Sequence, residues 1–196
     1  MSKEDLNQLE ELCREAYGAY EYLRDHDLSA ESGTSKRLRN GDFNKLRMRL
    51  VEELGELRGV IEGTHVHEGF EQDIILEGYE VWYWAACWMA AQGFTYDEVQ
   101  PHLYLDHGFR RRFTKEARKL DALQMAEHLI ANFNESTPLH DNPPNRYFAT
   151  GVFCITLNFI GMACRLNNTP PARLLERDIE EMRQKAYLAE YWRELV

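Results

Sequence analysis

The sequence holds no C-x-x-C pair, and its four cysteines, Cys13, Cys87, Cys154 and Cys164, are scattered along the chain. That spacing suggests neither a disulfide framework nor a zinc knuckle. Three of them lie in apolar helical stretches, where free cysteine behaves as a small hydrophobe. Long apolar runs are missing as well. The longest uncharged ones, VWYWAACWMAAQGFTY and VFCITLNFIGMAC, fall short of the roughly 18 apolar residues that a membrane span needs. Positive charge is scarce: 33 acidic residues against 23 basic ones leave a net charge of −10. Nucleic-acid backbones and anionic membranes would be repelled, so neither is expected as a partner. A small anionic substrate remains open if a cation mediates. The N-terminal MSKEDLNQLEELCRE is acidic and amphipathic, unlike a signal peptide, and a reduced cytoplasmic compartment is expected.

Alternating strand patterns are absent too, and the helical period runs nearly throughout, which predicts one all-α domain over residues 1–196. A first helix is expected from Glu4 to Asp25, with Leu6, Leu9, Leu12, Ala16 and Tyr20 at helical spacing. Leu28 to Asp42, rich in Gly, Ser and Asn, reads as a loop. Helices then follow from Phe43 to Glu62, stopped by Gly63, and from Phe70 to Gln92, stopped by Gly93. Thr95 reads as the N-cap of a helix ending in the basic run Arg110 to Arg112. A charged helix is expected from Lys115 to Phe133, then the loop NESTPLHDNPP. An apolar helix from Arg146 to Leu166 comes next, and a last one capped by Thr169 with Pro170 at its first position. The helix layout of 43–113 superposes on 114–196 at an offset of 74 residues, without sequence identity above chance. Two helical units sharing one core, a tandem pseudo-repeat, are one reading of that layout; coincidence in an all-helical chain is the other.

The stretch VEELGEL, Val51 to Leu57, carries the chemistry. Leu46, Leu50, Leu54, Leu57 and Ile61 form one apolar stripe, and Glu53 and Glu56 border it as neighbours three residues apart. Glu52 points further round, toward solvent. The next helix carries Glu77 and Glu80 at the same spacing, just before an uncharged run that must be deeply buried. A short connection favours an antiparallel hairpin. About the midpoint between Val66 and His67, Glu53 mirrors Glu80 and Glu56 mirrors Glu77. All four carboxylates should therefore meet at one height. Four such acids repel one another unless a cation compensates, and all-oxygen ligation favours a hard ion, Mg²⁺, with Mn²⁺ able to substitute. Mg²⁺ keeps waters and bridges to phosphates, which points to a polyphosphate substrate.

The blocks KLRMRLVEELGELRGVIEG and LEGYEVWYWAACW, Lys45 to Trp88, resemble the all-α nucleoside triphosphate pyrophosphatases. That superfamily takes in MazG-like proteins, phosphoribosyl-ATP pyrophosphatase, dCTPase-like enzymes and dimeric dUTPases. The resemblance covers less than a quarter of the chain. It implies that Glu53, Glu56, Glu77 and Glu80 are Mg²⁺ ligands, although Glu80 stands where the family usually has Asp. It implies hydrolysis of a nucleotide to the monophosphate and pyrophosphate, and it leaves room for a homodimer. Glu53 is the first choice to orient the attacking water, with Glu52 the second. At the 74-residue offset, Glu127, Ile130, Gly151 and Cys154 stand where the acids would be, so a second unit would be degenerate. A helical scaffold or nucleotide-binding sensor with the same fold is the non-enzymatic alternative.

Candidate substrate contacts are Arg49, Lys45, Trp84 and Arg111. Arg49 serves equally as the i,i+4 salt-bridge partner of Glu53. Arg110 to Arg112, with Lys36, Arg37 and Arg39, fit either a phosphate grip or solvated basic ends. Core packing is the safer reading for at least two of Trp82, Trp84 and Trp88. His65 and His67 sit in a turn without an obvious third ligand and read as loop histidines. Glu62 with His65 is the sole E-x-x-H match, too little for a di-iron bundle.

Overall fold

A computed structural model describes residues 2–111, 114–135 and 145–195. They form helices and turns, with no strand among the described residues. The helices are α1 (Lys3–Asp25), α2 (Gly33–Asn40), α3 (Phe43–Glu62), α4 (Phe70–Ala91), α5 (Tyr96–Val99), α6 (Pro101–Arg110), α7 (Lys115–Glu135), α8 (Arg146–Leu166), α9 (Ala172–Arg183) and α10 (Ala189–Glu194). A 3₁₀ turn, Ala186–Leu188, leads into α10.

Three boundaries differ from expectation. The 28–42 segment contains α2, whose Ser32 side chain accepts from the Ser35 amide and which stops at left-handed Gly41. Only one leucine, Leu38, anchors it in the core, too few for a readable period. The helix expected after Thr95 is two helices, because Pro101 has no N–H to continue the first. Gln100, with φ 42°, makes the corner, and Pro101 opens α6. The helix expected from Pro170 with a Thr169 cap is α9, which begins at Ala172 with Pro171 at its cap, after a turn in which Arg173 N–H donates to the Pro170 carbonyl, and α10 follows it. Residues 136–144 of the NESTPLHDNPP segment, and Arg112, lie outside the described residues.

Packing centres on α4. Its apolar all-round sequence is buried against α1, α2, α3, α8 and α9. In addition, α3 packs on α4 and α7, and α8 packs on α4 and α7, so these four helices close a ring. The α7 stripe of Ala122, Ala126, Leu129 and Phe133 is buried there, with Phe133 edge-on to Trp88 at 5.6 Å between ring centroids. Although its uncharged run alone falls short of a span, α8 as a whole is long and apolar enough to cross a membrane by length and composition, and 61% of that window is buried inside the bundle. It meets α6 at backbone contact. A Cβ on Gly108 would come 2.2 Å from the Asn158 carbonyl oxygen, and one on Gly161 would come 2.2 Å from that of Leu105.

Candidate metal centre

The α3–α4 hairpin is defined at both ends of its turn. Gly63, φ 90°, closes α3 by donating its N–H to the Gly59 carbonyl, and Gly69, φ 118°, precedes α4. Both conformations favour glycine. Between them the Asp73 carboxylate accepts from the backbone N–H groups of His67 (3.0 Å), Glu68 (2.9 Å) and Gly69 (3.3 Å). Burial alone would raise the Asp73 pKa, but these three donors hold it below the usual carboxylate value.

With the turn fixed, all four acids reach one place. Glu53, Glu56, Glu77 and Glu80 line a cavity of about 220 Å³ together with Arg49 and Leu76. Carboxylate oxygens of Glu53, Glu56 and Glu77 all lie within 4.8 Å of one another. Glu53 and Glu77 are each only 3% exposed, whereas Glu56 and Glu80 are half-buried. Burial pushes the Glu53 pKa up to about 7; Arg49 opposes the shift, while Glu56, Glu80 and Glu52 add to it. Glu77 is raised by burial and by Glu56, against a lowering from His65. Glu80 is raised by burial, then by Glu181 and Glu77. If all four acids ionised, Arg49 would be the one cation among the described residues of the lining to face them.

Arg49 is the cation at the rim. It donates to Glu53 at 2.6 Å, also bonds Glu52, and lies 5.2 Å over the Trp84 ring. Glu52 is exposed and does not line the cavity. Trp84 is 7% exposed, and Arg37 of α2 covers it from 5.7 Å. Trp82 and Trp88 are fully buried. Lys45 is exposed near the start of α3, outside the cavity. Arg111 is not brought there either: it bonds Asp121 of α7 at 3.0 Å. Arg110 pairs with Asp106, and Arg39 with Asp27 and the Arg24 carbonyl. Glu127 pairs with Arg58 at 2.9 Å.

Two groups have partners that the sequence reading did not give them. His65 and His67 do have a third partner, Glu77, whose Oε1 lies 3.3 Å and 3.6 Å from their Nε2 atoms. Asp178, on the apolar face of α9, is 1% exposed and accepts from Tyr20 Oη and Trp82 Nε1, each at 2.7 Å. Burial pushes its pKa up to about 7 against those two hydrogen bonds. It borders a second cavity of about 320 Å³, whose walls include Thr34, Arg37, Tyr79, Tyr83 and Glu181. The break in α9's apolar pattern at Asp178 was the available signal. No protein-family model, curated protein or solved structure matches this chain.

Proposed function

We propose that the protein is a Mg²⁺-dependent nucleotide pyrophosphohydrolase, and that Glu53, Glu56, Glu77 and Glu80 hold the ion. The observation that carries this reading is the meeting of four carboxylates, two of them buried, in one cavity with an arginine at its edge. The donor set fits a hard divalent ion: oxygen ligands on two rigid helices, with uncompensated charge that a cation would neutralise. Such an ion offsets phosphate charge and stabilises the charge that develops as a phosphoanhydride breaks.

The chain's own residues supply the rest. Glu53, central in the cluster, is suited to orient a water whose oxygen adds to phosphorus, the released proton passing to a carboxylate of the cluster or to Glu52. The bond to the bridging oxygen breaks and pyrophosphate leaves. Arg49 would turn from Glu53 to a phosphate oxygen. Arg49, which lines the acidic cavity, and Arg37, which lines the second one, lie 5.2 Å and 5.7 Å from the centroid of the Trp84 ring. A nucleotide can thus place its phosphates at the acids and its base among Tyr79, Tyr83 and Thr34. The α7–α8 pair is proposed as a degenerate counterpart of α3–α4. Moved by 74 residues, the ends of α3 and α4 fall within two residues of those of α7 and α8, which complete the same ring.

A metal- or nucleotide-binding scaffold has its own support, since Arg49 and His65 already face Glu53 and Glu77. Turnover separates the two readings. With Mg²⁺, a panel of NTPs, dNTPs and phosphoribosyl-ATP should yield pyrophosphate from at least one member. Silence across the panel would sink the enzyme and leave the scaffold.

A further inference from the structure

We propose that His65, His67 and Glu77 form a second metal site, for a zinc-class transition ion, adjoining the acidic cluster and sharing Glu77 with it. The three ligand atoms converge on one point. His65 Nε2 and His67 Nε2 are 2.8 Å apart, and they lie 3.3 Å and 3.6 Å from Glu77 Oε1. Around a tetrahedral zinc with bonds of about 2.1 Å, neighbouring ligand atoms stand about 3.4 Å apart. The observed triangle brackets that value. An N–H···N bond between two imidazoles accounts for the 2.8 Å separation alone, but it does not require a buried carboxylate oxygen to face both nitrogens.

The surroundings hold the triangle together. Asp73 pins the His67 backbone amide, and the Gly59 carbonyl accepts from the His65 amide at 3.2 Å. Gly59 also makes room, because a Cβ there would lie 2.8 Å from His65 Cβ. The ligand-bearing turn is thus fastened to both helices before any ion arrives. Two imidazoles and one carboxylate are a borderline-soft set, unlike the four oxygens next door, and they prefer zinc or cobalt to magnesium. His65 is partly exposed and His67 exposed, which leaves the fourth position open to water or to a ligand oxygen. A carboxylate can serve two neighbouring ions, so Glu77 would be a ligand common to both sites.

The test uses the metal-free full chain and needs no nucleotide, so its result is independent of the hydrolase reading. Co²⁺ is titrated in while visible absorption is followed, and Zn²⁺ affinity is read by competition with a chelating dye. One tight ion per chain is expected, with the intense visible bands of low-coordinate cobalt. His65→Ala and His67→Ala should each weaken Zn²⁺ binding roughly a hundredfold or more, since each removes one of three ligands. Gly59→Ala, which displaces His65 without removing a ligand, should weaken it roughly tenfold with the helical circular dichroism unchanged. Glu53→Gln should leave Zn²⁺ affinity within about threefold. Zinc binding that is unchanged in both histidine variants, or that falls only in Glu53→Gln, would overturn the proposal.

Discussion

Arg49 reaches Glu53 at 2.6 Å while its guanidinium lies 5.2 Å above the Trp84 ring. One cation therefore occupies the place where a metal and a phosphate would compete for partners. Arg49→Met removes a positive charge beside the acids, so Mn²⁺ should bind the nucleotide-free protein roughly fivefold more tightly. The same change should raise KM for the nucleotide by about tenfold or more, through loss of a charged phosphate contact. Calorimetry and steady-state kinetics read the two effects separately. A drop in both affinities would show that Arg49 only props up Glu53.

Glu53→Gln and Glu77→Gln each take one charge from a buried cluster. Metal-dependent turnover is expected to fall by about a hundredfold or more. Stability of the metal-free protein should hold or rise by roughly 1–2 kcal/mol, because like-charge repulsion and a desolvation cost disappear together. Urea unfolding in the presence of EDTA measures this. Marked loss of stability with metal affinity intact would make the glutamates structural.

Raised carboxyl pKa values carry a definite sign. Glu53 moves from an ordinary 4.5 to about 7, and Asp178 from 3.8 to about 7. Folded protein keeps these protons longer than unfolded protein, so between about pH 4 and pH 7 the folded state binds more of them. Stability of the metal-free protein should accordingly fall as pH rises through that window, and level off above it. The Glu53 contribution is on the order of 2–3 kcal/mol and should vanish in Glu53→Gln. Saturating Mg²⁺ should flatten or reverse the slope, because the ion selects the ionised acids. Thermal unfolding from pH 4 to pH 8, with and without Mg²⁺, checks both statements.

Asp178 ties α9 to α1 and α4 through Tyr20 and Trp82. Asp178→Ala would leave a buried hydroxyl and a buried indole N–H without their acceptor, at a cost of roughly 3–4 kcal/mol. Tyr20→Phe, which removes only one donor, should cost roughly 1 kcal/mol. Equal effects in the two variants would show that the carboxylate is not the shared acceptor that matters.

Much of this architecture is legible in the chain, for identifiable reasons. Asp42, Gly63, Gly69 and Gly93 mark the ends of α3 and α4, and the periodic leucines between them fix the buried face of α3. Mirror symmetry across the turn was enough to bring Glu53, Glu56, Glu77 and Glu80 into one cavity. The two loop histidines escaped because their partner sits on the following helix, at a distance set by a turn that Asp73 shapes. Hydrogen bonds from three consecutive amides to a carboxylate leave no periodic trace. Arg111 and Lys45 were named for charge alone, and charge does not say which side of a bundle a residue faces. Asp178 was legible only as a break in the apolar stripe of Leu174, Leu175, Ile179 and Met182, and one acid in RDIEEMR is easily taken for part of the polar face.

The touching backbones of α6 and α8 bear on how the molecule opens. Where Gly108 and Gly161 meet there are no side chains to swing aside, so water cannot enter that crossing by a rotamer change. The peptide groups around Gly161 can meet solvent only when the two helices part, which also draws α6 away from α1. Their amide protons should exchange with deuterium at the rate set by global unfolding, and be the slowest in the chain. The amides of α10, held at its edge chiefly by Tyr191, should exchange through local fraying many times faster.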